Sequence, residues 1–107
     1  MTVSMDDVQA MDMKIGTVKN VRDHPDADNL LLLDVDLGEA DNRQLVAGIK
    51  NDYNPNEIVD QQIVVIANME TATIRGEESK GMLLAADGDV ISLLQPDRKV
   101  APGTDVH

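Results

Sequence analysis

A chain of 107 residues suits one domain with a modest core. With no cysteine, neither a disulfide framework nor a thiolate metal site can hold it together. The formal net charge is -11, yet 42% of residues are hydrophobic and the acids are spread along the whole chain, which argues against a disordered acidic tail.

Ser4-Met5-Asp6-Asp7 has the form of a helix N-cap with acids in the first turn, so a short N-terminal helix is expected over residues 4–10. Met13, Ile15, Val18 and Val21 alternate loosely and predict a strand from Lys14 to Arg22. The HPDAD run, His24 to Asp28, is turn chemistry. Leu30 to Leu37, LLLLDVDL, begins as a continuous apolar run and ends in strict alternation, as expected of a strand buried on both faces at one end only.

Gly38 to Asn42 then reads as a hairpin loop and Arg43 to Ile49 as a returning strand. Asn54-Pro55-Asn56-Glu57 opens a short helix, with Pro55 at its first position. Gln62 to Ala67 is a β-branched strand. Next come Ile74, a polar loop, the run Met82 to Ala86, and a further strand from Val90 to Leu94. Pro96 and Pro102 mark an irregular arm in which Val100 is expected to pair as an edge.

Short strands at close spacing, with one helix inserted after the third, predict an all-β fold. The candidate is a five-stranded oligonucleotide/oligosaccharide-binding barrel, the OB-fold, with a short helix between strands 3 and 4. The barrel is expected over about 12–87, with extra elements at both ends and a C-terminal extension over 88–107.

No apolar run approaches the roughly 18 residues that a membrane helix needs. The N-terminus, MTVSMDDVQA, lacks the basic-then-apolar pattern of a signal peptide, so a cytoplasmic protein is expected. Asp outnumbers Glu by 15 to 5, and such a surface resembles adaptation to molar salt, as in a halophile. Salt would screen the self-repulsion of this net charge, since the Debye length is about 3 Å at 1 M.

Catalytic signals are sparse. Ser79 has no histidine near it in sequence, and the two histidines are His24 and the terminal His107. His24, Asp26 and Asp28 form a weak metal set in a turn where such residues more often cap backbone amides. Gly76 and Gly81 match neither phosphate-loop spacing. The chain is therefore expected to be no enzyme and to use no metal or cofactor.

Four segments in order carry a resemblance: DMKIGTV (Asp12 to Val18), HPDADNLLLLDVDLG (His24 to Gly38), RQLVAGI (Arg43 to Ile49) and ANMETATIRGEESKGMLLAAD (Ala67 to Asp87). Together they resemble the tRNA-binding domain that occurs as a stand-alone dimeric protein, as an appendage of many methionyl-tRNA synthetases, and in the endothelial monocyte-activating polypeptide. The resemblance spans Val3 to Leu94 and implies an OB-fold that binds tRNA by its folded shape. It also implies a homodimer built by terminal elements, and a possible partnership with methionyl-tRNA synthetase. Val3, Met5, Val8 and the strand Val90 to Leu94 are the candidates for that interface, or else they close the barrel ends.

The residues that match the family's RNA-binding surface are Asn68, Arg75, Ser79 and Met82, with Lys80 beside them. Arg75 offers an always-charged planar fork for a phosphate or a base face. Asn68 and Ser79 offer hydrogen bonds to RNA, and Met82 an adaptable apolar contact. Each has a plainer role open to it. Asn68 could cap a strand, Ser79 a turn, and Met82 could belong to the core; Arg75 and Lys80 could pair with Glu77 or Glu78.

The family's pattern carries lysines at positions that are Asn29, Glu70 and Thr73 here, and often an aromatic where Leu31 stands. Positive charge is thus lost from the surface that should meet a polyanion, although counterion release would contribute little in molar salt. Shape, hydrogen bonding and arginine remain, and these favour a folded RNA. Two readings compete with tRNA binding. One is a secretion-chaperone-like module, against which the SxGM form of Ser79 to Met82 counts. The other is a protein-interaction adaptor that has lost RNA binding, for which Asn29, Glu70 and Thr73 speak.

Overall fold

A computed structural model describes residues 1–107. The elements in chain order are α1 (Met5–Gln9), β1 (Met13–Asp23), β2 (Leu31–Asp36), β3 (Arg43–Ala47), α2 (Pro55–Ile58), β4 (Gln62–Ile66), β5 (Ala72–Ile74), β6 (Glu77–Ser79), β7 (Met82–Leu83), β8 (Ala85–Asp87), β9 (Ile91–Leu93) and β10 (Asp105–Val106). Strands β3-β2-β1-β4-β7 lie side by side, all antiparallel, and curl into a nearly closed five-stranded barrel. With α2 between β3 and β4, this is the OB-fold that the strand spacing predicts.

The long strand β1 makes the curl. Its first half pairs with β4 from Met13↔Ile66 to Thr17↔Gln62, and its second half pairs with β2 from Thr17↔Asp36 to Asp23↔Leu31. A register shift between Val18 and Asn20 sits where the strand passes from one partner to the other, as a bulge that bends and twists it would. Side chains pointing inward from Val18, Leu31, Leu33, Val35, Leu45, Ala47, Ile63 and Val65 fill the barrel. Ile58 of α2 joins this core at 1% exposure. Leu31, Leu32 and Leu33 are all buried, so the continuous start of the LLLLDVDL run is covered on both faces, as its pattern predicts.

Both helix starts follow the sequence signals. Ser4 and Asp7 form a reciprocal capping box at α1; at α2 the Glu57 carboxylate accepts from the Asn54 N–H at 2.9 Å, with Pro55 inside the first turn.

Two expectations need correction. Val100 joins no strand; the side-chain amide of Gln62 occupies its backbone instead, donating to the Val100 carbonyl at 2.7 Å and accepting from its N–H at 3.1 Å. The terminal strand is β10, which pairs with Met13 and Lys14 along the edge of β1 that β2 leaves open. The stretch read as a polar loop is a two-stranded hairpin, β5–β6, with Ala72 opposite Ser79. Its strands are short and polar, so no period-2 apolar pattern announces them.

Candidate nucleic-acid interface

The hairpin β5–β6 turns on two residues, Arg75 and Gly76, since Ile74 and Glu77 are the last paired positions. Both turn residues have positive φ, 51° and 88°, the geometry of a type I′ turn whose twist matches the strands. Glycine adopts this conformation freely; an arginine does so at a cost of roughly 1–2 kcal/mol. Arg75 is held there from the side. Its Nη2 donates to the Asp26 carbonyl at 3.0 Å, in the HPDAD turn.

His24 makes the same turn rigid. This ring is 4% exposed, its Nδ1 accepts from the Asp26 N–H at 2.9 Å, and its Nε2 lies 3.1 Å from the Ile74 carbonyl. An accepting Nδ1 leaves the proton on Nε2, so the imidazole donates to Ile74 and ties the β1–β2 turn to the hairpin. Both ring nitrogens are thereby engaged within the protein.

The barrel closes along a seam between β3 and the β6–β7 segment. The Lys80 N–H donates to the Gln44 carbonyl at 2.9 Å, and the Gln44 amide donates to the Glu78 carbonyl at 2.9 Å. Ser79 is buried within this seam. Its hydroxyl accepts from the Val46 N–H at 3.0 Å and donates to the Gly81 carbonyl at 3.0 Å. Gly81 has a φ of 154°, which side chains rarely adopt, and a Cβ there would crowd Leu45 at 3.1 Å and the Ile66 carbonyl at 3.2 Å. Arg43 donates through Nη1 to the carbonyls of Ala67 and Lys80, while Nε and Nη2 fork onto Glu39. The Arg43 hydrogen bond holds the Glu39 carboxyl below its ordinary pKa.

Asn68 sits at the end of β4 with its amide facing the N-terminus. Its Oδ1 accepts from the Asp12 N–H at 2.8 Å and its Nδ2 donates to the Ala10 carbonyl at 2.8 Å, pinning α1 to the barrel. The Lys80 side chain lies 3.9 Å from Glu78, both half-exposed, a pair worth little in water. Arg75 pairs with neither Glu77 nor Glu78.

Met82 is 50% exposed rather than in the core. It stands on the rim of an open groove of about 310 Å³ between the end of β3 and the hairpin. Val46, Ala47 and Ile49 line it together with Ala72 and Ile74 of the hairpin, and the exposed Met69, Glu70 and Met82 complete the lining. Ser79 and Met82 thus line one groove, while the Asn68 amide faces α1; His24 caps the Asp26 amide, the plainer role its turn suggested, and the sequence reading missed Arg43 and Gln44. A cation at the head of the apolar strand RQLVAGI was the available signal for Arg43.

The family model described as "Putative tRNA binding domain" matches residues 13–105. This chain belongs to that tRNA-binding domain family. The methionine–tRNA ligase of Thermococcus kodakarensis is 47% identical over 106 residues, covering 98% of this chain and 14% of the ligase. That of Methanothrix thermoacetophila is 46% identical, covering 98% of this chain and 16% of the ligase. The chain therefore spans about one-seventh of the length of these curated relatives.

Among solved structures, a MetRS-related protein from Pyrococcus horikoshii superposes with a TM-score of 0.92 at 27% identity, over 100% of this chain and 99% of the other. The chaperone CsaA from Bacillus anthracis gives 0.91 at 28% identity over the full length of both chains.

Within this tRNA-binding domain most cations have an acid close by. Lys14, Arg22, Arg43, Lys50, Lys80 and Arg98 each lie within 4.0 Å of a carboxylate oxygen, which leaves Lys19, Arg75 and Lys99 without one. Of these three, Arg75 follows Ile74, a residue that lines the groove, in sequence. No helix is long and apolar enough to cross a membrane.

Proposed function

We propose that this chain is a non-catalytic binding module for folded tRNA, with Arg75 as its principal contact. The observation that carries the reading is the Arg75 fork, strained at a hairpin tip, fixed by a backbone carbonyl and unclaimed by any carboxylate. A guanidinium so placed keeps an edge free for a phosphate, and charge-assisted hydrogen bonds of that kind are among the stronger ones. Met82 adds apolar contact at the groove. Asn68 and Ser79 shape the surface from behind, and Lys80 contributes through its backbone to the seam.

The partner best matched to this module is a methionyl-tRNA synthetase, served in trans, within the cytoplasm. Support comes from the 47% identity to part of a methionine–tRNA ligase and from the full-length superposition on a MetRS-related protein. We further propose a homodimer. Helix α1 has no buried residue, Val3 and Met5 are 65% and 70% exposed, and α1 flanks a groove of about 600 Å³ completed by Met11, Met13 and Val106. Val90 and Leu94, also exposed, are further apolar candidates for contact with a second copy.

The test is binding of the purified protein to total folded tRNA at about 2 M KCl, where screening lengths are a few Å. Heat-denatured tRNA serves as control and Arg75→Ala runs beside the wild type. Selective binding of folded tRNA, weakened by Arg75→Ala, is the expected result. A folded protein that binds neither RNA would remove the reading and leave a protein-interaction adaptor in its place.

A further inference from the structure

We propose that the groove beside Arg75 receives one unstacked guanine base of a bound RNA, with Glu70 reading the donors on its Watson–Crick edge; this rests on the RNA-binding reading above. At about 310 Å³ the groove is at the small end of ligand sites, a size for one ring system. Its walls are mainly apolar, and the Ser79 hydroxyl among them is already engaged. Met69 and Met82, 47% and 50% exposed, present flexible thioethers at the mouth. Sulfur packs favourably against aromatic rings, so two methionines can grip a base in a chain with no Phe or Trp.

Glu70 selects the occupant. It is the one charged residue lining the groove, and no cation lies within ion-pair distance of it. A carboxylate only accepts hydrogen bonds, so it repels a phosphate and draws a donor-bearing edge. Guanine offers two parallel donors, N1–H and the N2 amino group, that match both carboxylate oxygens. Cytosine, adenine and uracil each offer one donor group on that edge. Arg75, which follows the lining residue Ile74 in sequence, supplies the complementary half: a cation for the phosphate that the base carries with it. A cationic apolar peptide would also satisfy Glu70, but Arg75 opposes its charge.

The experiment observes the Met69 and Met82 methyl groups by NMR in the otherwise native protein while GMP, CMP, AMP or UMP is added, with folded tRNA titrated separately. The expected result is a shift of both methyls by GMP at concentrations about tenfold lower than by the other three, as one good bidentate pair discriminates. Glu70→Gln, at an exposed position, should erase that preference while the spectrum stays that of a folded protein. Equal responses to all four nucleotides, or no response to GMP while folded tRNA still binds, would overturn the base site and leave RNA binding standing. A GMP-selective response without tRNA binding would keep the base site and remove the RNA reading. Shifts caused by a lysine-bearing apolar peptide but not by GMP would make the groove a peptide site.

Discussion

Arg75 joins a local cost to a use. A left-handed turn position favours Gly, Asn or Asp, so a residue chosen for the hairpin alone would not be arginine. Arg75→Asn should leave the melting temperature unchanged or raise it by a few degrees, because relief of roughly 1 kcal/mol of strain offsets the lost bond to the Asp26 carbonyl. The same variant should weaken tRNA binding about tenfold, the loss expected for one charge-assisted contact. Thermal melts beside binding curves decide it: a destabilised protein with unaltered affinity would make Arg75 a structural residue. The sequence exposed the chemical type of these residues better than their direction. Asn68 and Ser79 are polar and sit in the right stretch, yet one amide pins α1 and one hydroxyl joins the barrel seam. Nothing local in Asn68 names its partners, which lie more than fifty residues away in sequence.

At the scale of elements, the strands with strong alternation or apolar runs were legible, and so were both capped helices. The hairpin β5–β6 and the strand β10 were not, because tertiary pairing rather than apolar pattern makes them strands. Strand β10 depends on charge as well as backbone. Lys14 donates to Asp105 at 2.8 Å; that hydrogen bond lowers the Asp105 pKa from 3.8 and raises that of Lys14 from 10.5. A depressed carboxylate contributes stability above its unfolded value and loses it as pH falls through the folded one; the raised lysine contributes below its unfolded value and loses it as pH rises through the folded one. Docking of β10 should therefore be tightest between those limits and loosen in acid below 3.8. NMR shifts of the Val106 methyls should follow that titration, and Asp105→Asn should flatten it; an unchanged titration would leave the pair without a part in docking. Helix α1 gives a second element-scale expectation. An amphipathic helix with no buried residue needs cover, and Met5→Glu places a charge on the uncovered face. Sedimentation should show a dimer for the wild type and a monomer for the variant, with unchanged far-ultraviolet dichroism.

Across the whole molecule, the tRNA proposed above would have to meet a net charge of -11. Composition made the acidic surface plain, but not which cations are neutralised, because pairing such as Arg22 with Asp34 or Lys50 with Asp23 is set by strand register and turn packing. Two opposed salt effects follow. Screening of self-repulsion should raise the melting temperature as KCl increases from about 0.1 M to about 2 M. Binding should weaken over the same range, but only gently. Log affinity falls with log salt in proportion to the phosphates neutralised, and only Lys19, Arg75 and Lys99 lack a carboxylate partner. If all three met phosphates the slope would be no steeper than about -3, against about -10 for a strongly basic binder. A measured slope near -3 or shallower, with Arg75→Ala reducing it by about one, would place recognition in shape and hydrogen bonds with a single dominant cation. A much steeper slope would mean that acid–base pairs such as Lys80 with Glu78 open on contact and hand their cations to the RNA.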